Sequence, residues 1–488
     1  MKVQIEIDPT YIWRGAKELV GKFRIEHFLL LYFAVHMLQI AFPSDGSMIF
    51  DEAHYVPASV ATLNGIAANA EHPPLPKIIG AISIAIFGNN WFAWRFPSVI
   101  MEIAALYLIY LIAKRFLGDP WALGGTMLLG LDTVFFIHGG SLLIDMPMFL
   151  FGFLAVELYF RKHYGWSAVS MGLAFISREM SIFLFAALGI YHLYVNRKSL
   201  RPIRKSVPLK IAIRYTVVAV LVLFILLTAY DLRYQPPRAV SVSSSVNAKI
   251  VLNGNGQPIT TIYSTSLSTS KDVILDAYHH LVFIYQYHGP GGIVIDEPYA
   301  PYQYAWNWIL PFDPVPHNGT FQQPDPFSAP TYFRVDVEVT TGGAATHYIP
   351  IWYHAQANLA LWYGLWPALV GLGYVLLRWK PKEETTVPTE RPKERKRTDS
   401  EAAKDTRATA LFILSGMILN YVPWLALSIL VRRIGFNYYM IYTLPFVALG
   451  LAFTWKLLPK GLGKPVLALN VLLALAFFIY YFPVHPMP

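Results

Sequence analysis

Apolar stretches of about 18 residues or more recur along this chain, the length needed to cross a hydrocarbon core roughly 30 Å thick. Spans are placed at about 26–43, 94–113, 121–138, 146–160, 166–177, 180–195, 211–230, 356–377, 409–431, 438–455 and 465–482, a few of them shorter than that length. The expected fold is therefore an all-α polytopic membrane protein with about 11 transmembrane helices. Composition agrees: 14% of residues are charged, against about 25% in soluble domains. Cysteine is absent, which removes disulfides, thiolate metal sites and a cysteine nucleophile.

The net charge of +9 invites a nucleic-acid reading, but the placement of the charges argues against it. Lys and Arg gather on alternate connections: the first 25 residues, Lys114-Arg115, Arg161-Lys162, Arg197 to Arg214, Arg378 to Arg407, and Lys456 to Lys464. These hold roughly three quarters of all Lys and Arg, so that side is expected to be cytoplasmic. The basic excess orients the protein, and nucleic acid is set aside as a partner. The first span follows 25 polar residues without a small-residue cleavage site and reads as an anchor. The N-terminus is expected inside and the C-terminus outside.

Three long connections divide the chain. Residues 1–230 form an N-terminal membrane module carrying a first outer loop at 44–93. Residues 231–355 form an outer segment, and 356–488 a second membrane module with an inner linker at 380–407. The linker is charged, contains proline and has almost no apolar residues, so it reads as a disordered tether. The outer segment alternates in Tyr332 to Val339 and His347 to Trp352 around Gly342-Gly343, a hairpin pattern. Asn253-Gly254 marks another turn, and a helix is expected near 271–287. In the first outer loop, Ile78 to Phe87 is too short to span and is expected at the interface, entered through the stiff Pro73-Pro74 and Pro76.

Acids and bases at membrane depth are costly and are functional candidates by default. They fall on the outer side. Asp51 and Glu52, followed by His54 and Tyr55, offer a general base and a hydrogen-bond acceptor for substrate. Glu71-His72-Pro73-Pro74-Leu75-Pro76-Lys77 places a lysine on a stiff turn, suited to a phosphate as a point charge. Arg95 stands at the mouth of the second span, Asp145 at the start of the fourth, and Arg178-Glu179 between two apolar runs, where the two could simply pair. Arg432-Arg433 break the positive-inside pattern, and an arginine fork matches phosphate oxygens. Such a set suits a base for an acceptor hydroxyl and cations for a departing phosphate. His-Glu-x-x-His, Walker and dinucleotide-binding motifs are absent, which disfavours a cytoplasmic nucleotide-sugar donor.

The order of these motifs resembles the dolichyl-phosphate-mannose–protein mannosyltransferase family, with the aminoarabinose lipid A transferases as more distant relatives. The likeness runs through Asp51-Glu52, His72-Pro73-Pro74-Leu75-Pro76-Lys77, Phe87-Gly88, Trp94-Arg95-Phe96-Pro97-Ser98 and the stretch ending at Asp145. It continues through Tyr285-Gln286-Tyr287-His288, Trp306-Asn307-Trp308, Tyr421-Val422-Pro423-Trp424, Arg432 and Phe436-Asn437-Tyr438-Tyr439. Pro76 and Asn437 depart from the family's usual glycine and tyrosine.

The resemblance implies a GT-C membrane enzyme, archaeal or bacterial, that moves mannose from a polyprenyl-phosphate donor to Ser or Thr of exported proteins with inversion. It favours Asp51 as the catalytic carboxylate, with Glu52 binding the acceptor. His72, Lys77, Arg95 and Arg432 would hold the donor phosphate, and His54, Tyr55, Asp145, Arg178, His288 and Tyr439 would form the sugar and acceptor site. The polyprenyl-phosphate sugar is a substrate rather than a cofactor, and a metal requirement stays open. Two rivals remain: the same chemistry on a lipid or glycan acceptor, and a transporter or flippase. The active site is expected on the extracytoplasmic face of a prokaryotic cell membrane.

Overall fold

The computed structural model describes residues 23–41, 48–49, 51–241, 247–252, 258–264, 268–288, 305–309, 331–332, 334–335, 340–341, 344–345, 351–354, 357–378, 392–431, 435, 437–482 and 484–486. For 53, 238–271, 307, 331–354, 392–405, 431 and 484–486 it describes the backbone alone.

Helix α1 (Ile25–Gln39) enters the bundle, and the short strand β1 (Met48–Ile49) leads to α2 (Glu52–Leu63). Helix α3 (Leu75–Phe87) follows the proline turn and stops at Gly88, whose φ of 81° favours a residue without Cβ. Next come α4 (Trp91–Leu117), α5 (Asp119–Gly130), α6 (Thr133–Gly139), α7 (Asp145–Phe160), α8 (Tyr164–Phe175), α9 (Ser181–Val195) and α10 (Val207–Tyr234). Beyond the outer segment with α11 (Ala277–His288) stand α12 (Leu359–Trp362), α13 (Leu365–Leu377), α14 (Pro392–Val431), α15 (Leu444–Lys456) and α16 (Gly463–Tyr480). Helix α4 packs on α7, α7 on α8, α8 on α10, α9 on α14, and α15 on both α5 and α13.

Every predicted span meets a helix, but the count of eleven crossings is not reproduced by length. Among the described residues five helices are long and apolar enough to cross a membrane, or six if α5 and α6 are one broken span, bent by 75°. The break has a local cause. Asp132 caps α6 by accepting from Phe135 N at 3.0 Å and also accepts from Trp362 Nε1 at 2.8 Å, which fixes a new helix start inside the apolar run. The span expected at 438–455 likewise shortens: Asn437–Tyr442 is a 3-10 turn, and α15 starts at Leu444.

Apolar residues also face outward, as lipid contact requires. Val217, Leu221, Ile225 and Leu226 on α10, and Leu469, Leu472 and Ile479 on α16, are exposed.

The outer segment carries the expected strands. Thr341 pairs with Ala344 and Thr340 with Ala345, antiparallel about Gly342-Gly343. Asn247–Leu252 pairs with Pro258–Ser264, with Asn253-Gly254 in the connection. The helix expected near 271–287 appears as α11, and Ile78 to Phe87 lies within the helix α3. The linker at 380–407 differs from expectation, because its second half lies in α14. Proline is tolerated in a helix's first turn, and the Lys, Arg, Glu and Ala that follow are strong helix formers.

Candidate active site

The short strand β1 and helix α2 separate the two neighbouring carboxylates. Ile49–Met48 pairs with Arg334–Val335, which anchors the chain just ahead of Asp51. Asp51 then stands at the N-cap of α2, and Glu52 is its first residue. Consecutive helical residues point about 100° apart, so the pair cannot share an environment.

Glu52 is wholly buried and fully engaged. It accepts from Ile49 N at 2.8 Å, Leu142 N at 3.1 Å, Arg95 Nε at 3.0 Å and Arg95 Nη2 at 2.9 Å. Arg95, also wholly buried, donates from Nη1 to Ile40 O at 3.1 Å. Asn90 sets the arginine's position by capping α4 at Ala93 N. This ion pair stitches α1, α2, α4 and the approach to α7 together.

Asp51 differs in each respect. It is half-buried, and among the described residues no donor reaches its carboxylate. Burial pushes its carboxyl above the ordinary range, while His54, Arg178 and His138 pull it back and Asp145 adds to the rise. Its ionisable neighbours are thus Arg178, His138, Asp145 and the exposed His54, not the expected Lys77 and Arg95.

Asp145 anchors the cluster from the start of α7. It meets His138 Nδ1 at 2.8 Å, accepts from the Tyr442 hydroxyl, and lies 3.8 Å from Arg178 Nε. The Arg178 guanidinium rests 5.9 Å from the Tyr442 ring centre. Arg178 also lies 3.3 Å from Glu179 Oε1, the pairing that the sequence left open. Tyr55 and His72 pack edge to face, 5.7 Å between ring centres, and His72 is 4.7 Å from the His288 ring. Burial, reinforced by His288, Arg178 and Lys77, holds the His72 imidazole well below its usual pKa.

The phosphate cations expected from sequence are placed differently. Lys77 is 1% exposed and donates to the carbonyls of Asn69 and His72, the latter at 2.8 Å. Burial pushes its ammonium down to about 7. Lys77 and Arg95 thus face protein groups, and Arg432 lies outside the described residues. Tyr439 stacks on Trp424, 4.1 Å between ring centres, and meets Trp308 at 6.2 Å. Tyr421 donates to Ala305 O at 2.7 Å, so the Trp306–Trp308 segment docks on α14. Tyr438 links this aromatic group to the cluster, its ring 5.4 Å from that of His138.

Sequence reasoning missed His138 and Tyr442. His138 carried a signal, being an ionisable residue at the outer end of a span. Tyr442 carried none, because it meets Asp145 across 297 residues of chain. A second buried group, Glu102 with His36 at 2.7 Å and the Tyr32 hydroxyl at 2.6 Å, was also passed over. There α6 comes close enough that a Cβ at Gly139 would strike Glu102.

The helical bundle that carries this polar cluster has the GT-C fold. It aligns with the yeast (S. cerevisiae) protein O-mannosyltransferase Pmt1-Pmt2 complex bound to the sugar donor, at a TM-score of 0.62 over 94% of this chain and 89% of that one, with 12% sequence identity. Residues 71–230 match the dolichyl-phosphate-mannose-protein mannosyltransferase family, a stretch that holds the His72–Lys77, Trp94–Ser98 and Asp145 motifs of the resemblance. Two curated relatives are polyprenol-phosphate-mannose–protein mannosyltransferases. The one from Mycobacterium tuberculosis is 35% identical over 109 residues, 20% of this chain and 21% of its own length. The one from Mycolicibacterium smegmatis is 30% identical over 128 residues, 24% of this chain and 25% of its own length. The matched region spans only about a fifth to a quarter of these relatives.

Proposed function

We propose that this protein transfers a sugar, mannose in the first instance, from a polyprenyl-phosphate donor to a Ser or Thr hydroxyl of an exported protein, with inversion. The contrast between Asp51 and Glu52 carries the mechanism. A general base must be ionised and free to accept a proton. Glu52 has its oxygens taken by four donors, whereas Asp51 has none among the described residues.

Asp51 takes the proton of the acceptor hydroxyl as that oxygen bonds to the sugar's anomeric carbon. The bond from that carbon to the phosphate oxygen breaks, and its electrons leave with the polyprenyl phosphate. Arg178 stands beside Asp51 and Asp145, where it can offset developing charge on the phosphate, and Arg432 is the second cation assigned to it. Asp145, oriented by His138 and Tyr442, holds sugar hydroxyls. Glu52 and Arg95 keep α2 in place, and Lys77 ties the turn that carries His72. His54, Tyr55, His288 and Tyr439 complete the sugar and acceptor site.

The basic connections, read by the positive-inside rule, favour an extracytoplasmic face for this cluster, and a prokaryotic cell membrane is part of the same reading. The relatives' names favour a protein acceptor over a lipid or glycan. The test incubates purified protein with polyprenyl-phosphate mannose and a Ser/Thr-rich peptide and reads the product by mass. A hexose on the peptide supports the proposal. A hexose found only on added lipid or glycan overturns the acceptor, and no transfer from that donor overturns the donor.

A further inference from the structure

The turn after α8, the start of the proline segment and the end of α11 bring three metal-ligating side chains to one place. His72, Glu179 and His288 each offer a donor atom, and these atoms lie within 4.8 Å of one another. We propose that they bind a divalent transition-metal ion of the zinc class at the outer edge of the active site. Donors around a tetrahedral ion with bonds of ~2.1 Å stand about 3.4 Å apart, a spacing that side-chain rotations alone can reach.

Three further observations point to an ion. Among the described residues, His72 Nδ1 and both Glu179 carboxylate oxygens are buried without a hydrogen bond. The Arg178–Glu179 contact at 3.3 Å is an ion pair that does not satisfy those oxygens. Buried polar atoms normally find a partner, and a metal would take His72 Nδ1 and one Glu179 oxygen together. His288 Nε2 lies 3.0 Å from Glu71 O. A proton held there puts the ring's lone pair on Nδ1, the arrangement that orients ligating histidines.

Charge argues the same way. Among the described residues, Asp51, Asp145 and Glu179 all interact with the Arg178 guanidinium, three carboxylates to one guanidinium where an anionic donor must approach. A dication would offset that excess. Two imidazoles with one carboxylate suit zinc and its neighbours rather than magnesium or calcium. Three protein ligands also leave a coordination position open, which a donor phosphate oxygen could fill. That last role rests on the function proposed above; ion binding does not.

The test uses full-length protein without a polyhistidine tag, stripped with chelator, incubated with zinc chloride and desalted, its zinc then counted by mass spectrometry. About one zinc per chain is expected, with at least a tenfold loss in Glu179→Gln and in His288→Gln. Glu179→His, which exchanges a carboxylate ligand for an imidazole, should retain the ion. Cobalt should give visible bands in the parent and in Glu179→His alone. A parent that keeps no zinc overturns the proposal. So do Gln variants that keep as much as the parent, or a Glu179→His that loses the ion while melting like the parent. None of these readouts depends on sugar transfer, so the site can stand if the proposed reaction fails, and the reverse.

Discussion

Removing the charge of Glu52 should damage the fold rather than the chemistry. In the structure its carboxylate accepts from Nε and Nη2 of Arg95 and from Ile49 N and Leu142 N, with both ionic side chains 0% exposed. Glu52→Gln leaves the Arg95 guanidinium buried without its counter-charge, and one amide NH2 faces donors rather than acceptors. Breaking a buried pair from one side costs about 3–5 kcal/mol. Arg95→Met strands the opposite charge and should cost a similar amount. The double variant leaves no unpaired charge and should be more stable than either single one, a coupling that a double-mutant cycle measures. The assay is thermal unfolding in detergent, followed by size-exclusion recovery, alongside sugar transfer. A Glu52→Gln protein as stable as the parent but inactive would refute this reasoning and move the base to Glu52.

Because burial raises the Asp51 carboxyl and the base must be ionised, activity should climb with pH along an acid limb above the ordinary carboxylate range; a limb at or below that range would show another base. Arg178→Gln should lower transfer roughly a hundredfold or more, as losing one charge-stabilising group does, while Arg178→Lys recovers part of it; unchanged kcat in Arg178→Gln would remove it from the phosphate site. The chain's lack of cysteine makes topology direct to test: Ser264→Cys and Thr398→Cys should label from opposite sides of intact cells, and labelling from one side would reverse the orientation.

What the sequence made legible follows the range of the interactions involved. The Gly342-Gly343 hairpin and the helix over Ile78 to Phe87 are local patterns that appear where the sequence placed them, and every predicted span meets a helix even though five or six are long enough to cross. The broken third span was hidden because Asp132 is a single polar residue in an apolar run, and its cap and Trp362 partner appear only in three dimensions. The linker's helical half was hidden because its composition signals solvation and helix propensity together. In the site, single residues such as Asp51 and Asp145 could be picked by charge at membrane depth. Pairings could not, since Glu52 with Arg95 and Asp145 with Tyr442 join distant parts of the chain. That is why Arg95 looked like a phosphate ligand and Tyr442 like nothing at all.

The account turns on Asp51 as the base that accepts the hydroxyl proton. Asp51→Asn keeps the side chain's shape, and no hydrogen bond among the described residues is lost with the charge. Single-turnover transfer from polyprenyl-phosphate mannose to a Ser/Thr peptide should fall by at least roughly 10², with donor binding and thermal stability matching the parent. Near-parental turnover in Asp51→Asn would contradict the account.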